Sequence, residues 1–412
     1  MEENIKGWEN KTINELCIIG RGRVISQNEI FNKIGDFPVY SSQSQNNGEM
    51  GKIDTYDFDG DYVTWTTDGA YAGTVFFRTG KFNCTNVCGT LKPKIDEELD
   101  LRFLAYLLST KAKSHVSYIG NPKLMNSVMA KISLQLPCNK SEQQKIAEIL
   151  SKTDKAIAET EALIAKYNRI KTGLMQDLLT KGIDENGQIR SEETHEFKDS
   201  ALGRIPKDWE VVSIGELGDW KGGKTPNKSI NKYWNNGKYI WYSSKDIVGN
   251  LLDNSFYKIT SEAITEGNQS VFPAYKSLIF VFRSGILRHT LPVARSKKDF
   301  SVNQDIKVLV PYKRFSSSFL FQKFKSLESY FLKVSVKAGT TVESIDGNLF
   351  FKTEIGLPQS NEQNIIISTL DNSDNYIKSL ESELSKFQSL KTGLMQDLLS
   401  GKVRVNKGIP TE

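Results

Sequence analysis

The chain has 412 residues, 38% of them hydrophobic and 25% charged, the profile of a globular protein rather than a disordered or fibrous one. Its longest apolar run, Leu278-Ile-Phe-Val-Phe282, is far short of the ~20 residues that span a bilayer, and the acidic start Met1-Glu2-Glu3 has no apolar run behind it, so neither a membrane-spanning nor a secreted class is expected. The four cysteines, Cys17, Cys84, Cys88 and Cys138, suit a reducing, cytoplasmic compartment without a disulfide framework. The net charge of +5 is unevenly spread: residues 1–140 balance to zero, whereas residues 200–360 carry +9. A polyanion-binding module and a basic surface without a partner both fit that excess.

In chain order, residues 1–140 read as a first mixed domain. Its short runs of β-branched and aromatic residues, Tyr62-Val-Thr-Trp-Thr-Thr67 and Thr74-Val-Phe-Phe77, are expected strands, and residues 101–108 an expected helix. Residues 141–182 carry an apolar stripe through Ile146, Ile149, Thr153, Ile157, Thr160, Ile164, Tyr167, Leu174 and Leu178. Its alternating three- and four-residue spacing predicts one long helix with a coiled-coil seam. Over residues 142–179 such a helix is about 57 Å long at 1.5 Å per residue. Residues 183–360 start as a polar linker and continue as a second mixed domain. Leu278-Ile-Phe-Val-Phe282 and Ile306-Lys-Val-Leu-Val310 are expected strands there, and residues 318–331 an expected helix. Residues 361–400 repeat the stripe as Ile366, Thr369, Ser373, Ile377, Leu380, Leu384, Phe387, Leu394 and Leu398, and residues 401–412 form a tail.

The chain is therefore written twice. Lys171-Thr-Gly-Leu-Met-Gln-Asp-Leu-Leu179 recurs unchanged as Lys391 to Leu399, an offset of 220 that also sets Glu142-Gln143 on Glu362-Gln363. Upstream, Trp8-Glu9 falls on Trp209-Glu210 at 201 and Ser41-Ser42 on Ser243-Ser244 at 202. Gly69 meets Gly285 at 216, Asn86 meets Asn303 at 217 and Pro93 meets Pro311 at 218, so the offset only grows along the chain. That is one duplicated unit with an insertion in the second copy. The fold class expected is α/β (α+β), with two globular domains and two long helices packed as an antiparallel coiled coil about an approximate two-fold axis. The alternatives are a parallel pairing, for which the polar stretch of residues 182–208 would have to run back along the helix and is long enough to do so, and two unrelated amphipathic helices, each capping its own domain.

Most chemical motifs fail on context. Gly218-Asp-Trp-Lys-Gly-Gly-Lys-Thr225 matches the G-x-x-x-x-G-K-T phosphate loop, but Pro226 removes one amide and no apolar face follows to hold down a helix. Asn121-Pro122 lacks the second proline and the aromatic of an adenine-methyltransferase motif. Asp57, Asp59 and Asp61 alternate like calcium ligands, yet Gly60 is out of position, and a turn entering a strand is the better reading. Three scattered histidines and an unpaired Cys84/Cys88 set give no metal site, and no catalytic grouping is found. The chain reads as a binder.

Over nearly its whole length the sequence resembles the specificity subunits of type I restriction-modification enzymes. The resemblance rests on the duplication and on Asp199-Ser-Ala-Leu-Gly203-Arg-Ile-Pro206-Lys-Asp-Trp209-Glu. It also rests on Gly222-Gly-Lys-Thr-Pro226 followed by Tyr233-Trp234, on Val302-Asn303-Gln304, and on Leu398-Leu399-Ser-Gly-Lys-Val403-Arg-Val405. The first copy departs from the pattern, with a start abbreviated to Ile5-Lys6-Gly7-Trp8 and an arginine-rich glycine loop. The resemblance implies two target recognition domains, each reading half of a split site in double-stranded DNA, and helices that set the unread spacer. It implies two modification subunits docked on the chain and restriction subunits beyond them. S-adenosylmethionine, ATP and Mg would belong to those partners, with no cofactor, metal or catalysis on this chain.

Under that resemblance the candidate DNA contacts are polar and basic residues of glycine-bounded loops and their matches in the repeat. In the first copy they are Arg21, Arg23, Ser41, Ser42, Gln43, Thr66, Thr67 and Asp68. In the second they are Lys221, Lys224, Thr225, Ser243, Ser244, Lys245, Arg283, Arg288 and His289. The helix–helix seam is expected at Ile146, Ile157, Ile164, Tyr167, Leu174, Leu178, Ile366, Ile377, Leu384, Phe387, Leu394 and Leu398. Partner contacts are expected in the identical segments, at Lys171, Met175, Gln176, Lys391, Met395 and Gln396, with a shared packing constraint as the alternative.

Overall fold

The computed structural model describes residues 5–43, 45–337 and 342–405; the acidic start at Met1-Glu2-Glu3 and residues 406–412 of the tail lie outside them. The chain folds as two compact units, one of Met1–Leu163 with Leu380–Glu412 and the other of Ile164–Ser379. No described helix is long and apolar enough to cross a membrane.

In the first unit a four-stranded antiparallel sheet runs in the order Cys17–Arg21, Cys88–Pro93, Tyr62–Thr66, Val75–Arg78. The strand expected from Thr74 starts one residue later, because the Thr74 amide donates to Tyr71 in the preceding turn. A second sheet sets Ile34–Tyr40 between Glu49–Ile53 and Lys81–Cys84, parallel to the latter. Helix Leu101–Lys111 is N-capped by Asp100, whose carboxylate accepts from the Arg102 and Phe103 amides. It buries Phe103, Leu104, Leu107 and Leu108 in one core with Trp65, Leu91 and Leu134. Burial of such side chains is worth about 1.5–3 kcal/mol each before entropy is counted.

The second unit repeats this plan from different residues. Its sheet runs Gly218–Gly222, Ile306–Pro311, Leu278–Val281, Val293–Ser296, the same order and the same antiparallel pairings, with Leu251–Leu252 added at the edge. Tyr239–Tyr242 again lies parallel to the strand before the turn, here Phe300–Val302. The helix expected over residues 318–331 is two, Ser317–Ser326 and Glu328–Val334, broken at Leu327. Backbone pairing also corrects the sequence alignment. Thr85 donates to Tyr40 as Asn303 donates to Tyr242, so Asn303 matches Thr85 rather than Asn86; Gly69 donates to Pro122 as Ser284 donates to Glu343, so Gly69 matches Ser284 rather than Gly285.

The long helices are Lys140–Thr180 and Ser360–Leu399. Every expected seam residue is buried or partly buried, while the intervening positions are mostly exposed. Within the first unit Lys391 reaches Asp154 at 2.6 Å, Arg404 reaches Glu142, and Leu398 and Leu399 share a core with Ile146 and Leu150. Within the second unit Lys171 pairs with Asp374, the Tyr167 and Tyr376 rings meet at 4.6 Å, and Leu178 and Leu179 share a core with Ile366 and Leu370. In both units the pairing is antiparallel. The last turn of each helix is thereby built into the core beneath the first turn of the other, which excludes two independent caps.

Candidate nucleic-acid interface

In the first unit several loops are drawn together by backbone contacts. Residues 22–24 run against the turn after Lys81–Cys84, where the Arg23 amide donates to Cys84. That approach requires glycine at position 22, since a Cβ there would stand 2.1 Å from the Cys84 carbonyl oxygen. The Thr67 amide donates to Val87 and its carbonyl accepts from Leu124, fixing the end of the central strand between two neighbouring segments. Thr85 Oγ1 donates to Ser41 Oγ at 3.1 Å, and the Gln43 amide nitrogen donates to Glu49. Ser42 is partly exposed beside them.

The charges here are mutually engaged. Arg21 Nε donates to the Asn86 carbonyl at 2.5 Å, and its Nη2 to Thr67 Oγ1 at 3.0 Å and Asp68 Oδ2 at 3.2 Å. Thr67 Oγ1 donates to Asp68 Oδ2 at 2.6 Å, and Lys123 Nζ lies 3.9 Å from Asp68 Oδ1. Arg23 donates through Nε to Asp57 at 2.9 Å and through both terminal nitrogens to Glu29. That fork holds the Glu29 carboxyl below the usual carboxylate range and raises the Arg23 guanidinium. Thr66 and Thr67 are buried, so neither hydroxyl faces solvent; Thr67 instead orients Arg21 and Asp68.

The second unit assembles the matching segments. The Lys224 amide donates to Val302, and Gly223 is required there because a Cβ would sit 1.9 Å from the Val302 oxygen. Thr225 Oγ1 donates to Gln304 Oε1 at 2.6 Å. Ser243 forms a capping box with Asp246, and Ser244 Oγ donates to the Arg283 carbonyl at 3.5 Å. The Phe282 and Arg283 amides both donate to Asp305, and the Phe282 carbonyl accepts from Ile345. Arg288 pairs with Glu343 and lowers its carboxyl; His289 is exposed. Lys221, Lys224, Lys245 and Arg283 are exposed, and among the described residues none of them is in an ion pair.

These hydrogen bonds fix which positions correspond. Arg23 matches Lys224, Thr67 matches Phe282, Asp68 matches Arg283 and Val87 matches Asp305. The charge asymmetry between residues 1–140 and 200–360 thus reaches the loops themselves. The first copy neutralises its arginines with Glu29, Asp57 and Asp68, while the second pairs Arg288 with Glu343 but leaves Lys221, Lys224, Lys245 and Arg283 open to an anionic partner. Gly218-Asp-Trp-Lys-Gly222 is itself a strand, with no helix directly after it, so the phosphate-loop reading has no structural support. Asp57 and Asp61 flank the Phe58–Asp59 strand and the Gly60 turn, and among the described residues no acidic cluster suits a metal ion.

A family model for the type I restriction modification DNA specificity domain matches residues 5–169 and again residues 206–386. The chain belongs to the type I specificity subunits. It is 31% identical over 87% of its length to a putative type I specificity subunit of Mycoplasma pneumoniae, covering 87% of that protein as well. To the type I restriction enzyme EcoR124I/EcoR124II specificity subunit of Escherichia coli it is 28% identical, over 71% of this chain and 67% of the other. The crystal structure of the type I restriction-modification S subunit from M. genitalium has the same fold, with a TM-score of 0.60 over 97% of both chains at 16% identity.

For this specificity subunit, sequence reading missed residues that only folding brings in. Glu29 and Asp57 reach Arg23 from separate segments, Asp57 from just before the Phe58–Asp59 strand. Asn86, Lys123, Gln304 and Asp305 join the loops through contacts between segments far apart in sequence. Of the expected partner contacts, Lys171 and Lys391 are committed to Asp374 and Asp154, Met175 and Met395 pack partly into the cores, and Gln176 and Gln396 are exposed. Shared packing therefore accounts for part of the sequence identity of the two segments.

Proposed function

We propose that this type I specificity subunit reads a bipartite, asymmetric site in double-stranded DNA. Residues 1–140 would read one half-site and residues 183–360 the other. The observation that carries this reading is one set of loops built twice on one sheet plan, with different side chains on each copy. Two copies of a backbone suit two stretches of duplex, and divergent side chains suit two different sequences. The helices would set the unread spacer and dock two modification subunits, through Gln176, Gln396 and the exposed faces of the repeated segments, with restriction subunits joining that assembly in the cytoplasm. S-adenosylmethionine, ATP and Mg would be bound by those partners.

Mapping methylated adenines in cells carrying the complete system tests the reading. Exchanging residues 1–140 for another recognition domain should alter one half-site only. Inserting four residues near Ala162 should lengthen the spacer and leave both half-sites unchanged. Altered half-sites after the insertion would contradict the ruler role. Methyl transfer from labelled S-adenosylmethionine by the isolated chain would contradict a non-catalytic subunit.

A further inference from the structure

Of the positions matched between the two copies, one reverses its hydrogen-bonding polarity at a fixed place in the backbone. The residue before it, Thr67 or Phe282, has both peptide groups engaged. Thr67 donates to Val87 at 2.9 Å and accepts from Leu124 at 2.8 Å; Phe282 donates to Asp305 at 2.8 Å and accepts from Ile345 at 2.9 Å. The next side chain therefore starts from an equivalent, anchored point in either copy. In the first it is Asp68, an acceptor, and in the second Arg283, a donor with no acceptor capacity.

Their surroundings suit presentation outward rather than packing. Asp68 Oδ2 is held by Thr67 and Arg21, and Arg21 is itself fixed by the Asn86 carbonyl, so the carboxylate is oriented before any ligand arrives. Its Oδ1 has only Lys123, at 3.9 Å, which leaves acceptor capacity unused. Arg283 is exposed, with its peptide anchored by Asp305 and Ser244, and among the described residues no ion pair occupies its guanidinium. A position that served packing alone would not exchange a carboxylate for a guanidinium.

We propose that this position selects one base pair in each half-site. Asp68 accepts from the exocyclic amino group of a cytosine or adenine, and Arg283 donates to O6 and N7 of a guanine. The proposal rests on the DNA-reading function above and makes it specific. The two copies read different sequences because one backbone position offers opposite hydrogen-bonding polarity. A good base contact of this kind discriminates by about 1–3 kcal/mol, roughly 5- to 150-fold.

The test uses the chain assembled with its modification subunits and a pool of randomised duplex DNA, with bound sequences selected at one salt concentration. The wild-type assembly should yield a two-part consensus. R283Q should lose roughly tenfold or more of the preference at one base pair of one half-site and leave the other intact. D68A, which removes the acceptor, should do the reverse. K224Q, at an exposed cation of the same loops, should weaken binding evenly and keep both half-sites. R283Q keeps the test decisive if D68A disturbs the Arg21 pair, because its side chain supports no described ion pair. A two-part consensus that R283Q leaves unchanged, with only a uniform loss of affinity, overturns the selector role and makes Arg283 a phosphate contact. A wild-type pool with no two-part consensus overturns the DNA-reading function itself.

Discussion

Arg404 grips Glu142 with both carboxylate oxygens, Nε to Oε1 at 2.6 Å and Nη2 to Oε2 at 2.7 Å. Arg190 grips Glu362 in the same bidentate way, at 2.6 and 3.2 Å. Glu142 and Glu362 occupy the same place in the first turns of the two long helices, and each arginine lies shortly beyond the end of the other helix. Beside each pair a glycine of positive φ, Gly401 or Gly182, lets the chain leave its helix against Trp8 or Trp209. The Glu142 side chain is almost fully buried. Replacing Arg404 by Ala strands a buried carboxylate, so R404A is expected to destabilise the first unit by about 2–4 kcal/mol. Hydrogen exchange should show protection lost around residues 142–150 and 394–399 and kept in Ile164–Ser379; equal loss throughout would deny the pair this local role.

The Lys391–Asp154 and Lys171–Asp374 pairs are copies of each other at the repeat offset of 220. Their side chains are about one-third exposed, so each pair is expected to contribute less than about 1 kcal/mol. Its use is in register. K391D alone should lower the thermal midpoint of the first unit, and K391D with D154K should recover most of the loss. A double variant no better than the sum of its singles would mean the register is set by the apolar seam alone.

Lys323, in Ser317–Ser326, is buried, donates through Nζ to the Leu179 carbonyl at 2.5 Å and lies 5.4 Å from the Trp209 ring. Burial pulls its ammonium down to about 8 from the ordinary 10.5. The folded state therefore releases this proton first. Between pH 8 and 10.5 the unfolded chain holds more protons and the lysine's contribution to stability rises with pH; below pH 8 its full penalty, about 3 kcal/mol, applies. Urea midpoints of wild type and K323M should differ least in favour of wild type near pH 7 and shift in its favour toward pH 10. Parallel curves across that window would show the amine is charged when folded.

The duplication and both helices were legible because the signals are long. Nine unchanged residues and a stripe of three- and four-residue steps survive any local error. The loops were less legible. A misplaced residue inside a turn set Asn303 on Asn86 when the backbone pairs it with Thr85. The engagement of Arg23 was invisible for another reason, since Glu29 and Asp57 meet it only after a helix and a strand have folded around the glycine loop. Burial of Thr66 and Thr67 likewise depends on which strand end closes over them.

The same engagement separates the two copies in solution. Lys221, Lys224 and Lys245 are in no ion pair among the described residues, whereas Arg23 is held by Glu29 and Asp57. A phosphate contact releases a counterion, and its loss reduces the slope of log affinity against log salt by roughly 0.9. In the assembled complex, K221Q, K224Q and K245Q should each flatten that slope between 50 and 200 mM salt by up to about one unit. R23Q should leave the slope unchanged, because the guanidinium is already neutralised and its loss acts on loop order instead. If R23Q flattened the slope as much as K224Q, Arg23 would have to leave Glu29 and Asp57 for DNA. The two copies would then differ in net charge but no longer in how far their loop cations are free to meet an anionic partner.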